Sequence, residues 1–99
     1  MTPESRLRDA IKRRIDNLRS AGLSIKYLKI HGGPMIEAGT PDVLVVLDGR
    51  AFFFEAKVKP NKATKLQEQR IKEWESAGAT ACVVHSVEDV DKVLFGGRT

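Results

Sequence analysis

The 99-residue chain is short of several things, and each shortage removes a class of protein. Cys82 is its only cysteine, which excludes an internal disulfide and any cysteine-based metal site within one chain. Between Ala81 and Val83 it reads as a buried strand thiol. The longest strongly apolar runs, Val43 to Leu47 and Ala51 to Phe54, are far too short to cross a bilayer, so no membrane partner is expected. The opening MTPESRLRDA has charges where a secretory leader needs an apolar stretch, and the expected location is the cytoplasm. The two histidines, His31 and His85, lie far apart, and neither has a second ligand at metal spacing. Gly32-Gly33-Pro34 lacks the lysine and the spacing of a phosphate-binding loop. No repeat or low-complexity stretch is present, and nothing calls for an organic cofactor.

What is present is a periodic apolar fraction of 41% in a length suited to a single domain spanning residues 1–99. The net charge of +4 is unevenly placed. Residues 1–30 hold eight Lys/Arg against three Asp/Glu, and residues 50–70 hold six against two. Two basic segments of this kind suit a polyanion, and Lys12, Lys29, His31, Lys59, Lys62 and Lys65 are the candidate nucleic-acid contacts within and beside them.

Thr2-Pro3-Glu4 reads as a helix start: a cap, a proline at the first helical position, and an acid in the first turn. Leu7, Ile11, Ile15 and Leu18 form one apolar stripe on that helix, which should end near Ala21-Gly22. Leu23 to Ile30 reads as a strand, broken by His31-Gly32-Gly33-Pro34, with a loop from Met35 to Pro41. Val43 to Leu47 and Arg50 to Val58 are strands joined by the hairpin signal Asp48-Gly49. A second helix from about Thr64 to Ala77 carries Gln67, Ile71, Trp74 and Ala77 on one face, with Trp74 expected in the core. Phe52, Phe53 and Phe54 are mainly core. Thr80 to Val84 is a further strand, expected to pair parallel to a central one through the crossover helix. Ser86 caps a last helix whose Val90, Val93 and Leu94 face inward, with fraying expected from Phe95 to Thr99. The order αβββαβα implies a three-layer α/β domain with a mixed sheet.

The chemistry collects at one end of the hairpin. Alternation puts Glu55 and Lys57 on one face of their strand, Phe54 and Ala56 on the other. An acid and an amine near the end of an apolar strand are costly unless paired or used. With the turn centred on Asp48-Gly49, the residue facing Asp42 is at about 55. Two converging carboxylates repel, and a bound hard cation, Mg²⁺ or Mn²⁺, is the usual remedy. Glu4 is either a plain first-turn acid or a member of this cluster, and Gln67 is either satisfied by backbone groups or turned to the site. His31 can line the site or touch nucleic acid, and His85 reads as structural.

Gly39-Thr40-Pro41-Asp42, twelve residues, then Glu55-Ala56-Lys57 resembles the motif of the PD-(D/E)XK nuclease superfamily. More narrowly, from Glu4 to about Val90 the chain looks like a small stand-alone VRR-NUC domain of phages and bacteria. Glu4 matches the helical acid of that family, Gly39, Pro41 and Asp42 its G-x-P-D motif, Glu55 and Lys57 its E-x-K motif, and Gln67 with Gly78 the following helix. The resemblance implies a restriction-endonuclease-like α-β-α domain and Mg²⁺- or Mn²⁺-dependent hydrolysis of phosphodiester bonds in DNA. It also implies a homodimer acting on branched DNA such as four-way junctions. In that reading Asp42, Glu55 and the backbone carbonyl of Ala56 hold the metal, and Glu4 reaches it directly or through water. Lys57 orients the attacking water or stabilises charge on the phosphate, and Gln67 holds Lys57 or a phosphate oxygen. The rivals are a non-catalytic DNA-binding relative, a small junction resolvase or restriction-type enzyme, and a protein-interaction module.

Overall fold

The structure is a computed structural model and describes residues 1–96. Its order is α1 (Pro3–Ser20), β1 (Ile25–Lys29), β2 (Val43–Leu47), β3 (Arg50–Ala56), α2 (Lys65–Ser76), β4 (Thr80–Val84) and α3 (Val87–Phe95). The four strands form one mixed sheet in the order β1-β2-β3-β4. The first two pairings are antiparallel, and β4 joins β3 in parallel after the α2 crossover, as the sequence predicts.

The hairpin sets the register. Asp48 and Gly49 both have positive φ, 50° and 80°, which gives the turn the twist its strands need. The ladder pairs Leu47 with Arg50 and ends with Val43 opposite Phe54. Alternate residues of both strands, Val43, Val45, Leu47, Phe52 and Phe54, then share one face with Ile25 and pack on Ile11 and Ile15 of α1 and Val90 and Leu94 of α3. That face is closed. Thr2 caps α1 by accepting the Ser5 N–H at 3.1 Å, and Ser86 caps α3 by accepting the Asp89 N–H at 3.1 Å.

The opposite face is only partly covered, and here the structure departs from the periodicity. The apolar side of α2 is not core: none of its residues is buried. Trp74 stacks on Phe53, ring centroids 4.2 Å apart, yet remains 37% exposed. The helix lies over β3 and β4 and leaves Leu44 and Val46 of β2 half-buried in an open groove of about 520 Å³, lined also by Ala51, Phe53 and Trp74. Periodicity identifies the side that faces the sheet, not how much sheet lies beneath it.

Smaller differences lie at element ends. The first strand is shorter than Leu23–Ile30, because Ile25 N–H turns back to Leu23 O at 3.0 Å. The third stops at Ala56, because Lys57 N–H still donates to Val84 O at 3.0 Å while Val58 N–H goes to Glu4. Phe95 is the last helical residue of α3 and not frayed; the remainder of that expectation, residues 97–99, lies outside the described residues. Cys82 sits in β4, half-buried, with burial pushing its thiol up to about 11. Among the described residues, no helix is long and apolar enough to cross a membrane.

Candidate active site

Extending the hairpin register by one pair sets residue 42 opposite residue 55, at the open end of β2 and β3. The approach is built by Gly39 and Pro41. Gly39 has φ +84°, and a Cβ on it would lie 2.8 Å from Leu66 Cγ, so only glycine lets the loop pass this close to α2. Pro41 is fully buried behind it. Arg70 of α2 clasps the same loop through the Ala38 carbonyl at 3.0 Å.

Asp42 stands one residue before β2, and its side chain turns across the end of the sheet. One carboxylate oxygen, Oδ1, accepts the Ala56 N–H at 3.1 Å, and the other, Oδ2, accepts Nη1 of Arg8 at 3.0 Å. Glu55 is 4% exposed, and the one ion pair it makes among the described residues is with Lys57 Nζ at 4.0 Å. Burial, and then the charge of Asp42, push its carboxyl up to about 7, against the weaker pull of Lys57 and Arg8. A buried acid with so little compensation, beside a second acid, is a cation-seeking arrangement.

Glu4 reaches the edge of this cluster from α1. Its Oε2 accepts Asn61 Nδ2 at 2.9 Å and Val58 N–H at 3.2 Å, and these bonds hold its carboxyl below the usual range, with a further contribution from Lys57. Glu4 therefore ties the first helix to the segment after β3. The three acids do not close into one ligand set: among the described residues, no group of three His, Cys, Asp or Glu side chains is close enough to hold a metal. Asp42 and Glu55, opposite one another in the extended register and coupled through their charges, are two oxygen donors of the type hard divalent cations take.

Gln67 lies elsewhere than on Lys57. Its Oε1 accepts the Thr64 N–H at 2.9 Å while Thr64 Oγ1 accepts the Gln67 N–H at 3.1 Å, a reciprocal cap that starts α2. The pattern Thr-x-x-Gln before the helix was the signal for it. His85 donates from Nδ1 to the Lys57 carbonyl, 2.9 Å away, so it braces the strand end that carries the lysine.

The candidate nucleic-acid contacts separate into two flanks. Lys12, Lys29 and His31 line one groove of about 400 Å³ between α1 and β1, with Tyr27 and Asp9. Lys12 is also paired with Asp16 at 2.7 Å. Lys59, Lys62 and Lys65 are exposed on the segment from β3 into α2. Sequence reasoning missed two residues. Arg8, one helical turn after Glu4, binds Asp42, and Asn61 binds Glu4. Only the i, i+4 spacing of Glu4 and Arg8 hinted at the first; nothing marked the second.

An α-β-α domain with a carboxylate pair and a lysine at the open end of its hairpin has the fold of a nuclease. Two solved structures narrow this. One, described as a VRR_NUC domain, superposes with a TM-score of 0.72 at 29% identity, covering 99% of this chain and 100% of that one. A second, a VRR_NUC domain protein, gives 0.67 at 18% identity over 95% of this chain and 86% of that one, and so shares the fold. No family model matches the chain, and no curated protein matches it. The chain is therefore similar to VRR-NUC domains over its whole length and shares their fold, with the αβββαβα order that the sequence implies.

Proposed function

We propose that this domain is a metal-dependent deoxyribonuclease that hydrolyses phosphodiester bonds at the Asp42–Glu55–Lys57 end of its hairpin. The observation that carries the reading is the buried, under-compensated Glu55 beside Asp42, with Lys57 two residues on. Asp42, Glu55 and the Ala56 carbonyl would hold Mg²⁺ or Mn²⁺. The bound cation supplies Lewis acidity toward a phosphate oxygen and acidifies water. Lys57, whose side chain is 18% exposed, is placed to orient the nucleophile and to meet charge that builds on the phosphate. Glu4 steadies the segment after Lys57 through Asn61 and the Val58 N–H, and would reach a bound cation only through water. Gln67 has its amide NH₂ left over from the cap to offer a phosphate oxygen.

The substrate class we propose is branched DNA, four-way junctions included, on the strength of the family resemblance and of the two basic flanks. Lys12, Lys29 and His31 line a groove between α1 and β1, and Lys59, Lys62 and Lys65 are exposed after β3, two basic segments suited to phosphates of diverging strands. The working form is a cytoplasmic homodimer. Its support is the half-covered sheet face at Leu44, Val46 and Trp74.

The test is cleavage of labelled four-way and linear duplex DNA with and without Mg²⁺ or Mn²⁺, by the wild type, Asp42→Ala and Glu55→Ala. Metal-dependent cutting by the wild type alone, with both variants folded, is expected. Equal cutting by either variant overturns the assignment.

A further inference from the structure

Asp42 is not a free carboxylate. Arg8 places Nη1 on its Oδ2 at 3.0 Å, and the two side chains are only 17% and 20% exposed. The arginine is itself held: Nη2 donates to Ser5 Oγ at 3.1 Å, and Ser5 Oγ accepts the Thr2 hydroxyl at 3.0 Å. A chain of polar contacts thus runs from the cap of α1 to the acid at the end of the sheet. The remaining oxygen of Asp42 is taken by the Ala56 N–H. A divalent cation at this acid and the guanidinium compete for the same oxygen, and two like charges in a sheltered site repel. Arg8 has an alternative: it lies one turn from Lys12 on α1, beside a basic groove, and its planar fork of donors matches a phosphate.

We propose that Arg8 is a displaceable counter-ion, which neutralises Asp42 while no metal is bound and passes to a phosphate of the DNA strand once a divalent cation takes the acid. The proposal rests on the metal-dependent nuclease reading. It makes metal and DNA binding reciprocally coupled through one side chain, and it makes Arg8 a positioning residue for Asp42 in one state and a substrate contact in the other.

Mn²⁺ binding is measured by calorimetry on DNA-free wild type, Arg8→Met and Arg8→Lys. Arg8→Met is expected to bind Mn²⁺ roughly three- to tenfold tighter, since no sheltered pair has to be broken and no cation opposes entry, and Arg8→Lys to stay near wild type. DNA affinity is then read by anisotropy on a Lys57→Ala background, where the strand stays intact. There Arg8→Met is expected to weaken binding about tenfold with Mg²⁺ and hardly at all with chelator. Equal or weaker Mn²⁺ binding by Arg8→Met would mean that Arg8 prepares Asp42 for the metal and does not yield it, which overturns the proposal. The same DNA penalty with and without Mg²⁺ overturns it too. A wild type that binds no Mn²⁺ removes the nuclease reading with it, an outcome distinct from the other two. If Arg8→Met does not fold, nitrogen-15 spectra of the wild type decide. The Arg8 guanidinium protons should exchange slowly in chelator and faster with Mg²⁺, and unchanged exchange refutes release.

Discussion

Replacing Glu55 by Gln should stabilise the metal-free protein at pH 8. The reason is the cost of keeping this carboxyl ionised in the fold. Its pKa moves from the ordinary 4.5 to about 7 on folding, chiefly by burial. The folded state therefore binds the proton more tightly than the unfolded chain. Stability at Glu55 is undiminished below about pH 4.5, falls as pH rises from there to about 7, and stays low above it. The full shift corresponds to on the order of 3 kcal/mol. The carboxyl lies at the open end of the strands, and screening there reduces this to about 2 kcal/mol. For a domain of this length about 2 kcal/mol is a rise of roughly 8–16 °C in Tm. The assay is thermal unfolding of wild type and Glu55→Gln in chelator at pH 5 and pH 8, repeated with Mg²⁺. Glu55→Gln should exceed the wild type only slightly at pH 5, exceed it clearly at pH 8, and lose that advantage when Mg²⁺ stabilises only the wild type. A variant no more stable than the wild type at pH 8 would refute the idea that Glu55 is an under-compensated buried charge.

Four further outcomes follow from the same geometry. Lys57→Ala should keep Mg²⁺-induced stabilisation and lose about 10²–10³-fold in kcat, and a loss confined to DNA affinity would make it a phosphate contact only. Cleavage by the wild type should rise with pH toward about 7, because Glu55 must shed its proton to bind the cation, with the midpoint moving lower as Mg²⁺ is raised; a flat profile argues against that role. Thr64→Ala should cost about 1 kcal/mol by breaking the reciprocal cap with Gln67, seen as a lower Tm without a change in metal affinity. Trp74→Arg should turn a dimer into a monomer in light scattering coupled to size exclusion, and a wild type of one-chain mass at micromolar concentration removes that interface.

The parts of the fold legible in the sequence are those set by local rules. Asp48-Gly49 allows one tight turn, and from it the pairing of positions 42 and 55 follows by counting. Thr2-Pro3 and Ser86 mark helix starts that the backbone adopts. What escaped depends on tertiary reach. A flexible Arg8 on a helix surface has no periodic signature that distinguishes it from Arg6 or Arg13, and only the fold brings it to Asp42. Gln67 faces inward by spacing and also stands third from Thr64; the cap claims its carbonyl because that bond needs no tertiary contact. The shallow seat of α2 was hidden because the four-strand sheet is wider than one helix can cover. The third strand ends early because a distant acid, Glu4, takes the N–H of Val58.

The two-residue turn at Asp48-Gly49 is also a ruler. Five residue pairs separate it from the acids, from Leu47–Arg50 to Val43–Phe54. Side chains on a strand have a period of two, so one residue inserted or deleted in the turn would bring Phe54 or Ala56, not Glu55, opposite Asp42. The penalty would be paid at the far end, in a site the lesion does not touch. Point substitutions in the turn can be mild while changes of length are not, and loop grafts here should be length-matched before they are sequence-matched.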